Sequence, residues 1–464
     1  MTVDQKRGAS IVIESDADMA RALPARSGLT AARESLSTAL TAAGDRPIWG
    51  AMADAVPAEL RAKVLARIDD DEVVRLAGDL IRIPSFTTEE TPLAEWLANY
   101  LGEQRLAVTV QEVEPGRKQT IARLRGSGGG RSIMLNGHID IDPLASGWTR
   151  DPFTPWIADG KLFGHGVYNM KAGVAACIMA TLALQRAGVA LRGDVVLACV
   201  AAELNSGIGT IHALEHGQRT DMAVVAEPYG ARTILTKHTG TMDVVIHTLG
   251  RATHISKKEH GVDAIAMMMR AVAALDGMRF THTHDPDLPG LPRLNVGSII
   301  GGRGRDHNLR GAYTVSDFCT AYVNVRFNAS QTGQTVVADI RRTLDALAAA
   351  DPRFQYEIEF PPRPDRGLGR LAKAAVDVPK TEPVVQMVRR NLHLMTGAEP
   401  EHFGVRLPQS YAGNDTTHLW SAGIPCCLYG PGGGYTDYHD VHVDLADLFL
   451  CTRVLALTAL EATR

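Results

Sequence analysis

The sequence predicts an α/β fold: a doubly wound sheet joined to a smaller ferredoxin-like α+β domain. From Glu72 to Pro228, short apolar strand-like runs alternate with helix-period segments. That is the pattern of a sheet with helices on both faces and functional loops at strand C-termini. From about residue 236 the order becomes β-α-β-β-α-β, the split βαβ arrangement. The 464 residues suffice for two such domains.

Residues 1–70 are rich in Ala, Arg, Asp and Glu, with weak helical spacing at Leu29–Ala43 and Ala58–Ile68. They read as a helical N-terminal extension, a packing or solubilising appendage. EVVRLAGDLIRIPSF and TPLAEWLANYLGE have helical spacing. The strands VTVQEVE, TIARLRG and SIMLNGH follow, then a helix from Lys171 to Ala187 and the strands VVLACVAAE and MAVVAEP. In the second region TMDVVIHTLG, LNVGSIIGG, FCTAYVNVRF and QYEIEF read as strands, VDAIAMMMRAVAAL and VVADIRRTLDALAA as helices. The loop PPRPDRG leads back to helical TEPVVQMVRRNLHLM, the strand GIPCCLYGPG and a terminal helix from Asp444 to Thr463.

Composition narrows the function classes. Hydrophobic residues are 45% and charged residues 22%, an ordinary globular profile. A net charge of −4 with both signs mixed argues against nucleic-acid or membrane-surface partners. The N-terminus lacks a signal-peptide core, and no apolar run is expected to reach the ~20 residues of a membrane span. Six cysteines without C-x-x-C spacing suit a reduced, cytoplasmic protein without structural disulfides.

The chemistry concentrates between His138 and Lys171. His138-x-Asp140 ends an apolar run, placing an imidazole and a carboxylate at a strand's C-terminal edge, where the carboxylate can orient a metal-bound histidine. Pro143, Trp148, Pro152, Phe153 and Asp159-Gly160 follow, then G-H-G-V-Y-N-M-K. This segment resembles the co-catalytic zinc hydrolases that include acetylornithine deacetylase, succinyl-diaminopimelate desuccinylase and carboxypeptidase G. The resemblance covers roughly residues 72–464. It implies a catalytic domain of residues 71–235 and 365–464, interrupted by a lid and dimerisation domain at 236–364.

It also implies a ligand set. His138 matches one metal's histidine and Asp140 its orienting aspartate. The position of the metal-bridging aspartate holds Asn169, whose neutral amide cannot separate two cations electrostatically. In Ala202-Glu203-Leu204-Asn205-Ser206-Gly207-Ile208-Gly209-Thr210, ungapped matching puts Glu203 on the general base and Leu204 on a ligand of the second metal. A one-residue slip makes Glu203 a ligand instead. Glu227, in A-E-P, resembles the first metal's carboxylate. His439, after Gly430-Pro431-Gly432, resembles the second metal's histidine, with His442 an alternative. Gly413-Asn414-Asp415 resembles the family's G-T-D element. The expectation is one divalent metal, zinc or manganese, held by His138 and Glu227 and completed by Asn169, His439 or water.

His254, in G-R-A-T-H-I-S, resembles the lid histidine that reaches a partner subunit's active site and stabilises the oxyanion. A homodimer is implied with it. Arg326, in Y-V-N-V-R-F, resembles the arginine that grips a substrate carboxylate. The run Arg303–Arg310, with Asn308 and Arg310 facing an anionic substrate, either lines the mouth or forms a solvated loop.

The resulting expectation is a metal-dependent hydrolase of a C–N bond in a small carboxylate-bearing amide or N-acyl amino acid, with Glu203 moving the water's proton. Hydrolytic deamination of an aromatic amine is a variant. A metal-free enzyme or small-anion binder on the same scaffold is the alternative of a different class.

Overall fold

Short β-branched segments that cannot bury both faces alone must pair, and here they do so in two main sheets. The computed structural model describes residues 56–309, 311–363, 369, 371–436 and 439–464. The expected helix at Leu29–Ala43 lies outside the described residues. The strands are β1 (Ala107–Glu114), β2 (Arg117–Leu124), β3 (Ile133–His138), β4 (Trp156–Ala158), β5 (Lys161–Phe163), β6 (Val195–Val200), β7 (Met222–Val225), β8 (Thr233–Leu235) and β9 (Lys237–His238). There follow β10 (Gly240–Leu249), β11 (Arg293–Gly302), β12 (Phe318–Phe327), β13 (Gln355–Glu359), β14 (Val376–Asp377), β15 (His402–Gly404), β16 (Cys426–Leu428), β17 (Gly433–Thr436) and β18 (His439–Asp444).

The eight-stranded sheet runs β1-β2-β6-β3-β7-β16-β8-β15. Its centre, β6-β3-β7-β16, is parallel, while β1, β2 and β6 pair antiparallel. The central strands β3, β6 and β7 are buried throughout, as strands covered on both faces by helices must be. On one face the helices Ala172–Ala187 and Leu445–Ala462 pack against each other. Both are apolar nearly all round because they are buried between the sheet and outer helices such as Asp70–Arg82.

Two expectations change. The segment Val167–Ala187 is long and apolar enough to cross a membrane by length and composition, with 89% of its window buried inside the protein. Helix Ala58–Leu65 packs on Ala172–Ala187 and Leu445–Ala462, and Val64 and Ile68 join the core. This part of the expected appendage is therefore structural.

The second sheet runs β11-β12-β10-β13, with helices Ala264–Asp276 and Gly333–Ala350 covering it. Its separate core includes Met242, Val244, Met268, Val323, Ile340 and Leu344. This is the expected ferredoxin-like insertion. Among the described residues β11 pairs only with β12, which leaves its other edge open there. A small sheet, β17-β18-β5-β4, was not expected, since three-residue strands carry no readable period. All six cysteines are buried and free.

Candidate metal centre

Parallel strands end at a common edge, so residues just beyond β3, β6 and β7 converge. His138 is the last residue of β3; Glu203 lies three past β6 and Glu227 two past β7. One nitrogen or oxygen from each lies within 4.8 Å of the others, and all three residues are buried.

Asp140 fixes the arrangement. Its Oδ1 accepts the Glu203 N–H and its Oδ2 the Leu204 N–H, each at 3.0 Å, and Thr87 Oγ1 donates to Oδ2 at 3.2 Å. The turn thus held passes through left-handed backbone at Ala202 (φ 63°), Ser206 (φ 71°) and Gly207 (φ 69°), unfavourable for the two non-glycine residues. The expected role of Asp140 needs a correction in detail. His138 Nδ1 bonds the Asp140 main-chain oxygen at 2.8 Å, whereas the carboxylate Oδ1 is 3.5 Å away. Its carboxylate chiefly orients Glu203.

His138 Nε2 faces Asn169 Oδ1 at 3.1 Å and Glu227 Oε1 at 4.0 Å. Burial alone would lower the imidazole pKa. Hydrogen bonding to Asp140 and the charges of Asp140, Glu227 and Glu203 outweigh it and raise the pKa well above the ordinary value. Burial and the Glu203 charge push Glu227 up to about 7, although His138 pulls it down. One imidazole nitrogen and two carboxylate oxygens, oriented from rigid strand ends, form a donor set that suits a divalent zinc- or manganese-like metal.

Glu203 also forms a buried ion pair with Lys373 Nζ, which donates in addition to the Glu203 main-chain oxygen at 2.9 Å. Lys373 escaped the sequence reading. It lies in no motif and comes from 170 residues downstream, placed by its backbone pairing with Thr241. Asp415, the aspartate of the G-N-D element, is buried beside the same charges; desolvation and Glu203 push it up to about 8.

Next to this cluster is a cavity of about 180 Å³ whose lining includes Glu203, Leu204, Asn324, Arg326 and Lys373. Arg326 projects from β12 of the insertion. Desolvation lowers its pKa. Nearby Asp243 is already satisfied by Asn324 Nδ2 at 2.7 Å and the Gly369 N–H at 3.0 Å. Among the described residues, Arg326 makes no ion pair.

Other expected site residues lie elsewhere. His439 is not part of the three-donor cluster. It begins β18 in the side sheet, its ring against Gly147 and its Nδ1 3.6 Å from Asp440 Oδ2. Gly147 tolerates no Cβ there, since one would meet His439 Cδ2 at 2.9 Å. His442 sits in the same sheet, its ring 5.1 Å from that of Phe163. Asn308 is exposed in a turn closed by two backbone bonds to Arg303 and is not among the residues lining the cavity, which suits the solvated-loop alternative. Arg310 lies outside the described residues. His254 is exposed on the insertion, its Nδ1 2.9 Å from Ser256 Oγ.

A buried histidine–carboxylate donor set at the ends of parallel strands, beside a small cavity, suits a metal-dependent hydrolase. Residues 134–461 match Peptidase family M20/M25/M40, and the chain belongs to that family. It is 27% identical to N-formyl-4-amino-5-aminomethyl-2-methylpyrimidine deformylase of Bacillus subtilis (strain 168), over 80% of this chain and 89% of that protein. It is 29% identical to succinyl-diaminopimelate desuccinylase of Methylobacterium radiotolerans, over 66% of this chain and 80% of that protein. The fold is similar to a tripeptidase from Staphylococcus aureus, with a TM-score of 0.66 at 16% identity, covering 86% of this chain and 100% of the other. It is also similar to a dinuclear metal-binding peptidase of Bacillus subtilis, with a TM-score of 0.60 at 17% identity, covering 85% and 98%.

Proposed function

We infer that the chain binds one divalent metal, zinc or manganese, through His138 and Glu227, with Glu203 beside it as the general base, and hydrolyses the C–N bond of a small N-acyl compound carrying a carboxylate. The observation that carries this reading is the three-donor cluster beside a small cavity lined by Arg326, which makes no ion pair among the described residues. A bound metal would polarise the acyl carbon and acidify water. Glu203 takes the water's proton and returns it to the leaving nitrogen. Arg326 receives the carboxylate in a bidentate pair. Formyl and succinyl amides, the acyl groups named for the two relatives, are the first substrates to screen.

A cytoplasmic setting suits six buried free thiols. A homodimer through the open β11 edge is also part of the reading, supported by exposed Ile299 and Ile300 on that strand. In such a dimer the exposed His254 would serve the partner's cavity. The test combines elemental mass spectrometry, sedimentation and an N-acyl amino acid panel. About one metal per chain, a dimeric mass and turnover lost on chelation are expected. A chain that turns over no amide after metal is restored refutes the hydrolase assignment.

A further inference from the structure

Asn169 and Leu204 are neutral at the two positions where the family resemblance puts anionic ligands, yet the region is rich in buried carboxylates. Asp140, Glu203, Glu227 and Asp415 are all 4% exposed or less. Asp415 Oδ2 accepts from Thr210 Oγ1 at 2.9 Å, and its Oδ1, buried, has no hydrogen-bond partner. The cation set among these groups is covalently attached. Lys373 Nζ pairs with Glu203 Oε1, bonds the Glu203 main-chain oxygen at 2.9 Å, and acts electrostatically on Asp415 and Glu227. Its backbone exchanges two hydrogen bonds with Thr241, each 2.9 Å, anchoring it at the junction with the inserted domain. Both Lys373 and Glu203 line the cavity.

We propose that the Lys373 ammonium is the second cation of this centre: it serves in place of a second divalent metal and restricts the chain to one. The proposal rests on the metal-hydrolase reading above. Fixed positive charge beside Glu203 repels a further cation when no anion lies between them. Asn169 and Leu204 supply none. Lining the cavity, the ammonium also has its remaining N–H to offer an acyl oxygen as negative charge develops on it. Lysine at this point and neutral residues at 169 and 204 then act together in setting the charge of the centre.

The test is Zn²⁺ stoichiometry of the full chain, stripped by chelator and titrated calorimetrically, with elemental mass spectrometry as a second readout. Wild type should take one ion. Asn169→Asp/Leu204→Glu should still take one while Lys373 is present, and two once Lys373→Met is added. Lys373→Arg in the same background should keep one. Lys373→Gln replaces Lys373→Met if thermal unfolding shows the methionine variant unfolded. Two ions with Lys373 in place, or only one after its removal, overturns the proposal and leaves the hydrolase reading standing. No ion in wild type but one in Lys373→Met overturns the proposal as well as metal dependence, since wild type would then hold no first metal for the ammonium to accompany. No ion in any variant overturns both.

Discussion

Asp140→Asn isolates the device that carries Glu203. The two carboxylate oxygens each accept one amide, Glu203 N–H and Leu204 N–H, at 3.0 Å. An asparagine keeps one oxygen and turns the other into an NH₂ group facing an N–H donor. One amide loses its acceptor, and the other loses the charge that strengthens its bond. Hydrogen bonds to charged groups are worth ~1.5–3 kcal/mol, and a buried donor left unsatisfied costs ~1–3 kcal/mol. Asp140 is fully buried, so solvent screening does not reduce these values. The expected loss is about 2–4 kcal/mol of unfolding free energy. Because the turn bears Glu203 and His138 packs against it, Zn²⁺ affinity should fall roughly 10–100-fold. Urea unfolding followed by tryptophan fluorescence, with and without chelator, gives the first quantity and calorimetric titration the second. Asp140→Ala, which removes both acceptors, should lose more. A stability change within ~0.5 kcal/mol together with unchanged affinity would refute the claim that this carboxylate builds the site.

Glu203→Gln should lower kcat on any verified amide by about 10²–10⁴-fold while the chain stays folded, because the amide still accepts from Lys373; unchanged turnover removes Glu203 as the base. Arg326→Ala should raise KM for carboxylate-bearing substrates by ~10–100-fold and leave their neutral amide analogues little affected, a comparison read from steady-state kinetics. In chelator-stripped protein, Glu227 holds its proton up to about 7, above the ~4.3 of an unfolded glutamate. The folded state therefore binds more protons than the unfolded one between these values, and stability contributed by this group is lost as pH rises through that window. Glu227→Gln should flatten the slope of unfolding free energy between about pH 4.5 and 7; a parallel curve sinks the assignment.

Much of this was legible because strand-end geometry is written locally. SIMLNGH and MAVVAEP predict where apolar runs stop, and parallel pairing then brings His138 and Glu227 together without long-range information. Glu203 was placed by motif, but its position beside the His138 and Glu227 donors emerges only when β6 lies beside β3. His439 lies outside the three-donor cluster for a related reason. Its motif text is intact, but pairing of β18 with β5 and β17 puts its ring against Gly147. Lys373 was invisible, since a lone lysine after a proline-rich loop has no period, cap or spacing to mark it. Helix Ala58–Leu65 looked like an appendage because few apolar residues mark its core face, chiefly Val64.

The donor set also fixes the proton traffic of metal binding. A metal takes only deprotonated imidazole and carboxylate. Around pH 6 the two groups that must bind it are held protonated, His138 by the surrounding carboxylates and Glu227 by burial beside Glu203. Zn²⁺ binding there should therefore expel between about one and two protons per chain. Raising the pH past about 7 removes the Glu227 share. Calorimetry at about pH 6 in two buffers of different ionisation enthalpy reads the number directly. Glu227→Gln should reduce it by roughly one, as the substituted amide has no proton to yield. Equal apparent enthalpies in both buffers would mean that the metal enters through other groups, and the convergence of β3, β6 and β7 would then have to be explained without it.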